Sequence, residues 1–303
     1  MSAPTRDLAD LHRHLDGSLR VSTLAELAGV MRVDVPVELA FRPGTGLQEA
    51  LSRFAFTLSL LQSPQAVERV AREICDDAEA EGVTTLEVRF APQLHGSAGL
   101  EAIVDAAIAG LDGRAGLILC GLYGESPEVL EALVDVAEPR LGVVGIDLAG
   151  GPAPTDRWSL TDYATPFRRA ETVGLGRTVH ASEGRPPAEI RTAIEVLGAQ
   201  RIGHGITLLD DPKVLDLVVQ TGVTLEACPT SNVHTGIIPF FQAHPLARWL
   251  DAGVKVTLCT DNTLLSTTNM PNEMRRARTI MGVTADHLAT LTRHGHEAAF
   301  RRA

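Results

Sequence analysis

Two histidines, His12 and His14, lie one residue apart near the start of the chain, within a short apolar run. In a β-strand, the side chains at positions i and i+2 point to the same face of the sheet. Two imidazoles on one face form half of a metal site. The side chains that could complete the site occur much later in the chain: His180, Glu183, His204 and Asp261. Together these residues predict a hydrolase with a single metal ion.

Short runs rich in valine, isoleucine and leucine alternate with helical patterns along the chain, as expected for parallel strands buried on both faces. The predicted strands are 9–14, 84–90, 115–122, 142–148, 177–181, 200–205, 222–228 and 255–260. The helical patterns include 64–81, 98–110, 127–138, 186–197 and 244–252. About eight strand–helix units predict an α/β fold, the (β/α)8 or TIM barrel. A doubly wound open sheet is the competing architecture, but no glycine-rich phosphate loop follows the first strand.

The segment 22–62 differs from the rest, because it contains two or three helical patterns and no strand pattern. We predict that it is a helical insertion between strands 1 and 2 and that it covers the mouth of the barrel as a lid. No linker or low-complexity stretch interrupts the chain. Residues 1–303 are therefore predicted to form a single metal-dependent hydrolase domain.

The candidate metal ligands share one position in the predicted fold, the carboxyl end of a strand. They are His12, His14, His180 and Asp261, with His204 in an equivalent place. In a (β/α)8 barrel this end carries the active site. Each residue alone is compatible with a core histidine or a helix cap, but packing does not explain five of them at one end. Imidazoles and one carboxylate favour zinc or another late first-row divalent ion.

Acid–base roles follow from the same arrangement. A bound metal of this kind lowers the pKa of water towards neutrality and supplies hydroxide. Asp261 can bind the metal and accept a hydrogen bond from that water, and His204 can orient the water or accept its proton. Glu183 comes three residues after His180 and can therefore reach the substrate side of the metal. A carboxylic acid there could protonate a ring nitrogen or a leaving group.

The composition argues against several classes of protein. Of 303 residues, 45% are hydrophobic, the formal net charge is −11 and no tract of lysine or arginine occurs, so no nucleic-acid partner is expected. With no leader pattern and no apolar run of bilayer length, we predict a cytoplasmic protein without a membrane partner.

Four widely spaced cysteines are predicted to be buried, reduced thiols. They are Cys75, Cys120, Cys228 and Cys259.

The other histidines lack partners at suitable positions and are predicted to have surface or structural roles. They are His95, His234, His244, His287, His294 and His296. Within this group, His234 and His244 bracket a predicted loop after strand 7, where they could line a pocket.

Seven short motifs occur in the order found in one known family. They are Leu11-His12-Arg13-His14-Leu15-Asp16-Gly17, Leu86-Glu87-Val88-Arg89-Phe90-Ala91-Pro92, Ile146-Asp147-Leu148-Ala149-Gly150, His180-Ala181-Ser182-Glu183, Arg201-Ile202-Gly203-His204-Gly205, Cys228-Pro229-Thr230-Ser231-Asn232 and Thr260-Asp261-Asn262. Together they resemble adenosine deaminase and its relatives in the metal-dependent amidohydrolase superfamily, from about residue 8 to about residue 300. The resemblance implies a barrel that binds one Zn²⁺ per chain. It also implies hydrolytic deamination of a purine nucleoside, adenosine or 2′-deoxyadenosine.

The resemblance further implies a role for each matching residue. The zinc ligands would be His12, His14, His180 and Asp261, with Glu183 donating a proton to purine N1 and His204 positioning the attacking hydroxide. The substrate contacts would be His14, Asp16 at the ribose 5′-hydroxyl, the Gly150 backbone at N3 and Asn262 at N7. Free-adenine deaminases of the family more often carry glutamate at the position of Asp16, so Asp16 favours a nucleoside.

Two residues depart from the family pattern. Asn262 stands where the animal enzymes have a second aspartate, although an amide can still donate to N7. Ser182 replaces the usual glycine, and we expect its side chain to narrow the pocket beside Glu183.

Two other interpretations of the function stay open. One is deamination of another 6-aminopurine, such as adenine, a 5′-modified adenosine or aminodeoxyfutalosine, and the other is a catalytically silent nucleoside-binding barrel. Cytidine-type zinc deaminases are excluded, because their H-x-E and P-C-x-x-C pairs are absent.

Overall fold

The structure is a computed structural model and describes residues 7–96, 98–153 and 155–302. Eight parallel strands follow one another around a single sheet in chain order. They are β1 (Leu8–His14), β2 (Val83–Phe90), β3 (Gly116–Leu122), β4 (Val143–Ala149), β5 (Gly176–Ala181), β6 (Arg201–His204), β7 (Thr224–Ala227) and β8 (Lys255–Leu258). The sheet is a nearly closed (β/α)8 barrel, which confirms the predicted fold class.

The barrel is joined beside the candidate ligands. Just past the end of β8, Asp261 forms a parallel bridge with Arg13 of β1. The amide of Asp261 donates to the carbonyl of His12 at 2.8 Å, and the amide of His14 donates to the carbonyl of Asp261 at 2.8 Å. The main chain itself therefore holds one candidate ligand between two others.

Helices surround the barrel. They are α1 (Val21–Met31), α2 (Leu47–Leu60), α3 (Pro64–Glu81), α4 (Leu100–Leu111), α5 (Pro127–Ala137), α6 (Ala164–Thr172), α7 (Ala188–Glu195), α8 (Pro212–Thr221), α9 (Pro229–His234), α10 (Leu246–Asp251), α11 (Met270–Ile280) and α12 (Ala285–Ala298). Every predicted helical segment corresponds to one of them, with bounds that differ by less than a turn. Among the described residues, no helix has the length and apolar character needed to cross a bilayer.

The longest helix, α3, shows how local sequence sets the bounds of an element. The Ser63 side chain accepts a hydrogen bond from the amide of Ala66, and Pro64 occupies the first turn, where its missing N–H costs nothing. Gly82 ends the helix in the left-handed region at φ 85°, a conformation that glycine adopts without strain. The helix then leads directly into β2.

The predicted insertion 22–62 contains most of α1 and all of α2, with no strand among its residues. The apolar side chains Leu51, Phe54 and Leu58 of α2 line the cavity at the mouth of the barrel. The helical content of this segment therefore agrees with the prediction. Its function as a lid stays a prediction, as does the single-domain organisation.

Several charged side chains are buried within the barrel or between its strands and the surrounding helices. Among the largest fully buried side chains are three arginines, Arg13, Arg89 and Arg201. Each lies close to a buried carboxylate, with nitrogen–oxygen distances of 2.9 Å for Arg13–Asp10, 2.8 Å for Arg89–Asp147 and 2.8 Å for Arg201–Glu226. A buried charge is tolerated when it is paired in this way. Arg89 and Arg201 thus satisfy carboxylates that contact the candidate ligands, whereas Arg13 also pairs with Glu81 of α3 on the outer side of β1.

Candidate active site

The predicted metal ligands meet at the carboxyl ends of the strands. The Nε2 atoms of His12 and His14 lie 3.3 Å apart. Asp261 Oδ1 lies 3.8 Å from His12 Nε2 and 3.5 Å from His14 Nε2. The ring of His180 is centred 4.6 Å from that of His12. Side chains from β1, β5 and the end of β8 therefore converge on one point, where they could hold a metal ion.

Two buried carboxylates orient the histidine rings. Glu226 Oε2 lies 2.6 Å from His12 Nδ1, and Asp147 Oδ2 lies 3.0 Å from His180 Nδ1. A carboxylate that accepts from Nδ1–H leaves the Nε2 lone pair free to bind a metal, and it also fixes the rotation of the ring. His12 and His180 thus each have the outer partner that metal-binding histidines require.

Arg89 connects these two carboxylates. Its guanidinium donates to Asp147 Oδ2 at 2.8 Å and to Glu226 Oε2 at 2.8 Å. It also donates to the carbonyl of Leu11, which precedes His12 in β1. The planar fork of arginine suits such a bridge better than the single ammonium of lysine. One buried cation therefore positions the partners of both His12 and His180.

Burial favours the neutral form of three site histidines, whereas the carboxylate of Asp147 raises the pKa of the fourth, His180. Burial lowers the pKa of His12 and of His14 well below the ordinary value, and the Arg89 charge acts in the same direction on both. Burial likewise lowers the pKa of His204 to about 3. Metal ions bind the neutral imidazole, so this electrostatic environment favours metal binding over protonation.

Glu183 and His204 face each other beside the ligand cluster. His204 Nε2 lies 3.8 Å from Glu183 Oε2. On its other side, His204 Nδ1 lies 3.1 Å from the amide nitrogen of the buried Asn232. Burial raises the pKa of Glu183, which keeps a proton on its carboxyl to higher pH than usual. The pair combines a carboxylic acid that can donate a proton with an imidazole held in place.

The backbone at these strand ends is strained. Ser182, His204 and Asp261 have φ values of 57°, 65° and 63°, in the left-handed region that side chains with a Cβ rarely adopt. Each such residue costs of the order of 1–3 kcal/mol, and strain of this kind clusters at functional sites. The left-handed turn directs the side chains of His204 and Asp261 across the end of the barrel.

A cavity of about 220 Å³ opens over the cluster. Its wall towards α2 is apolar and comprises Phe41, Leu47, Leu51, Phe54 and Leu58. Its floor carries His14, Asp16, His180, Glu183, His204, Asp261 and Asn262. An apolar pocket with a few convergent polar groups is typical of a small-molecule site.

All of the predicted substrate contacts line this cavity. They are His14, Asp16, Gly150 and Asn262. The Oδ1 atoms of Asp16 and Asn262 are buried without a hydrogen-bond partner, so both retain acceptor capacity. A Cβ on Gly17 would lie 2.0 Å from Asn262 Oδ1, which explains why glycine is needed at that position. These groups are free to bind the polar edges of a ligand.

The expectation for Ser182 is wrong. Its hydroxyl donates to the carbonyl of Pro186 at 2.9 Å, and its backbone amide donates to Glu189 at 2.8 Å. Ser182 is fully buried and is not part of the cavity lining. Its side chain therefore braces the loop that follows β5 and does not narrow the cavity.

The remaining histidines lie outside the cavity lining. His95 Nδ1 contacts the carbonyl of Leu61, His244 packs against Trp249, and His294 accepts from the amide of Val256. His234 and His244, which bracket the loop after β7, are also absent from the lining. All four cysteines are buried and free.

Three residues behind the ligands were not predicted from the sequence. No role was predicted for Arg89, Asp147 and Glu226, although all three are charged residues inside the predicted strands. A charged residue in a strand that is buried on both faces must have a buried partner. This signal was present in the sequence and could have identified them.

Comparison with known proteins places the chain in a family. A sequence model described as adenosine deaminase matches residues 7–303. The chain belongs to the adenosine deaminase family. It is therefore a member of a family of hydrolases. It is 34% identical to an adenosine deaminase of Vibrio atlanticus over 96% of this chain and 92% of that protein. It is 35% identical to an adenosine deaminase of Clostridium perfringens over 96% of this chain and 93% of that protein.

Solved structures share the fold. An adenine deaminase from Arthrobacter aurescens superimposes with a TM-score of 0.89 at 25% identity, covering 99% of this chain and 95% of that one. An N6-mAMP deaminase from Arabidopsis gives a TM-score of 0.87 at 27% identity, covering 99% and 95%. An amidohydrolase from Burkholderia ambifaria, solved with bound Zn, gives 0.87 at 22% identity, covering 98% and 86%. The last of these shows likeness of fold alone.

Proposed function

We propose that this protein is a zinc-dependent adenosine deaminase that converts adenosine or 2′-deoxyadenosine and water into the inosine nucleoside and ammonia. The observation that carries the proposal is the convergence of His12, His14 and Asp261 beside a buried, proton-retaining Glu183 in one cavity. Relatives of about one-third identity over nearly the whole chain carry the name adenosine deaminase.

The donor set fits zinc. The Nε2 atoms of His12 and His14 lie 3.3 Å apart, close enough for one ion to bind both at the usual zinc–nitrogen distance of about 2.0–2.1 Å. We assign His12, His14, His180 and Asp261 as the residues that would hold the ion. When bound, zinc supplies Lewis acidity that makes hydroxide available near neutral pH.

The chain's own residues then move and orient the reacting groups. Glu183, whose pKa is raised by burial, donates a proton to purine N1 and thereby makes C6 more electrophilic. His204, held by Asn232, orients the attacking oxygen towards C6. Asp261 accepts a hydrogen bond from the same oxygen. The apolar wall of α2 keeps bulk water from the reacting carbon.

The lining of the cavity favours a nucleoside over a nucleotide. Among the described residues that line it, none is a lysine or an arginine. A phosphate would therefore lack a cationic partner and would instead meet the carboxyl of Asp16. Burial raises the pKa of Asp16 to about 7, so near neutrality its carboxyl can either donate to or accept from a sugar hydroxyl. These features suit a ribose with a free 5′-hydroxyl better than a ribose that carries a 5′-phosphate.

A substrate panel tests this proposal. We expect zinc-loaded protein to deaminate adenosine and 2′-deoxyadenosine far faster than adenine or AMP, as followed by the loss of aminopurine absorbance. A preference for adenine, for AMP or for a 5′-modified adenosine would retain the mechanism but contradict the substrate assignment. If zinc is bound and none of these is turned over, the catalytic proposal is wrong and the interpretation as a silent barrel gains support.

The Asp16→Ala variant tests the ribose contact. Loss of one hydrogen bond to the 5′-hydroxyl should reduce kcat/KM for adenosine about 10-fold, which corresponds to about 1.4 kcal/mol. Turnover of 5′-deoxyadenosine, which lacks this hydroxyl, should be nearly the same for wild type and variant. Equal losses with both substrates would show that Asp16 does not contact the 5′-hydroxyl.

A further inference from the structure

The segment 299–302, which follows α12, lies across the bottom of the barrel, opposite the cavity. The Phe300 ring packs directly on the backbones of β4 and β5: a Cβ on Gly145 or Gly176 would lie 2.8 or 2.1 Å from it. Arg302 donates to the carbonyls of Ala137 and Glu138, each at 2.8 Å. This segment is therefore anchored beneath the strands and beside α5.

Phe300 also covers a buried ion pair. The Arg201 guanidinium carbon lies 3.6 Å from the centre of the Phe300 ring. Arg201 donates to the carbonyl of Ala298 at 2.9 Å, and the amide of Phe300 donates to Glu87 Oε1 at 2.5 Å. Arg201 and Glu87 also bond to each other, and both are buried. The segment thus contributes contacts to both members of the pair.

The same arginine extends upwards to the candidate metal site. Arg201 Nε lies 2.8 Å from Glu226 Oε1 in an ion pair, without the alignment of a hydrogen bond. The other oxygen of Glu226 lies 2.6 Å from His12 Nδ1. A continuous series of contacts therefore joins Phe300 at the bottom of the barrel to His12 at the top, through Arg201 and Glu226.

We propose that Phe300 and Arg201 are positioning residues for His12. Phe300 and Ala298 hold the Arg201 guanidinium, and the Arg201 charge attracts one oxygen of Glu226 while Arg89 holds the other. Glu226 in turn sets the orientation of the His12 imidazole. A cavity of about 530 Å³ lined by Arg201 and Phe300 lies next to this contact. Without the Phe300 ring, Arg201 has room to turn into that cavity, which would leave Glu226 Oε1 with only the Thr178 hydroxyl at 3.0 Å.

This inference rests on the proposed role of His12 as a zinc ligand, and the experiment separates the two claims. Zinc release from purified holoenzyme into excess chelator is measured for wild type, His12→Ala and Phe300→Ala, together with kcat and KM for adenosine. If wild type binds no zinc, or if His12→Ala retains it, the proposed function fails. If those two behave as expected, the Phe300 variants test the inference alone.

We expect Phe300→Ala to release zinc about 10–100-fold faster than wild type, the range typical of a lost outer partner. Its kcat should fall while KM stays unchanged, because the substrate contacts are intact. Phe167→Ala is the matched control: it truncates a fully buried phenylalanine of α6 that is not part of this series of contacts. It should lower thermal stability without changing zinc release.

Two further variants keep the proposal testable if Phe300→Ala does not fold. Phe300→Leu keeps an apolar cover but loses the aromatic face, and Arg201→Lys keeps the charge but cannot contact Glu87, Glu226 and Ala298 together. Both should release zinc faster than wild type. The proposal is overturned if Phe300→Ala and Phe300→Leu release zinc at the wild-type rate, or no faster than Phe167→Ala at equal thermal stability.

Discussion

Replacement of Glu183 by glutamine is expected to reduce kcat for adenosine by about 10²–10⁴-fold, the contribution typical of a positioned general acid. Glutamine has the same shape but no acidic proton. The carboxyl is buried, which raises its pKa and favours the protonated form that can donate to N1. Zinc content and KM should stay near the wild-type values, because Glu183 is not among the assigned ligands.

Steady-state kinetics and elemental analysis of the same preparation check this result. Glu195→Gln, an exposed substitution on α7, provides the control and should match wild type. A Glu183→Gln variant with the wild-type kcat would eliminate Glu183 as the proton donor. A variant that has lost its zinc would instead assign this side chain to the metal site.

His14→Ala should abolish stable zinc binding and, in parallel, deamination. Loss of a direct ligand should weaken zinc binding by more than the about 10–100-fold seen when an outer partner is removed. His14 suits this test because its removal leaves Glu226 and Asp147 paired with His12 and His180. The fold should therefore survive the substitution.

Metal content and circular dichroism of purified His14→Ala provide the measurement. His287→Ala, which alters a partly exposed histidine beside Asp251, serves as the control and should retain one zinc ion per chain. Full zinc occupancy in His14→Ala would contradict the ligand assignment. Loss of zinc together with loss of helical signal would show only that the chain had unfolded, so His14→Gln, which keeps a polar side chain, is the second variant.

The fold was predictable because each strand reads as a short apolar run between turn residues. The prediction 84–90 corresponds to β2, and 142–148 corresponds to β4, each within one residue at either end. The bounds were less accurate for β6 and β7, where the extended pattern continues past the last ladder hydrogen bonds. Local patterns determine where a parallel strand lies better than where its pairing stops.

The candidate site was predictable for a related reason. Residues at the ends of parallel strands meet at one rim of a barrel, so the order of strands along the chain is enough to place His12, His180 and Asp261 together. Two features could not be inferred in this way. The direction of the Ser182 side chain depends on a left-handed backbone angle, and side-chain chemistry alone gives no sign of it.

The buried ionic network was the second such feature. Arg89 pairs with Asp147, 58 residues further along the chain, and with Glu226, 137 residues further. A charged residue in an apolar strand signals that a partner exists, but the partner is set by the register of strands around the closed barrel. The contact between Phe300 and Arg201 is likewise decided by tertiary packing.

Reconstitution of zinc-free protein tests the central claim most directly. The protein is stripped with a chelator, zinc is titrated back, and adenosine deamination is measured at each addition. We expect no activity without metal and a linear recovery that ends at one zinc ion per chain. Full activity in the zinc-free protein, or no activity after one equivalent of zinc is bound, would contradict it.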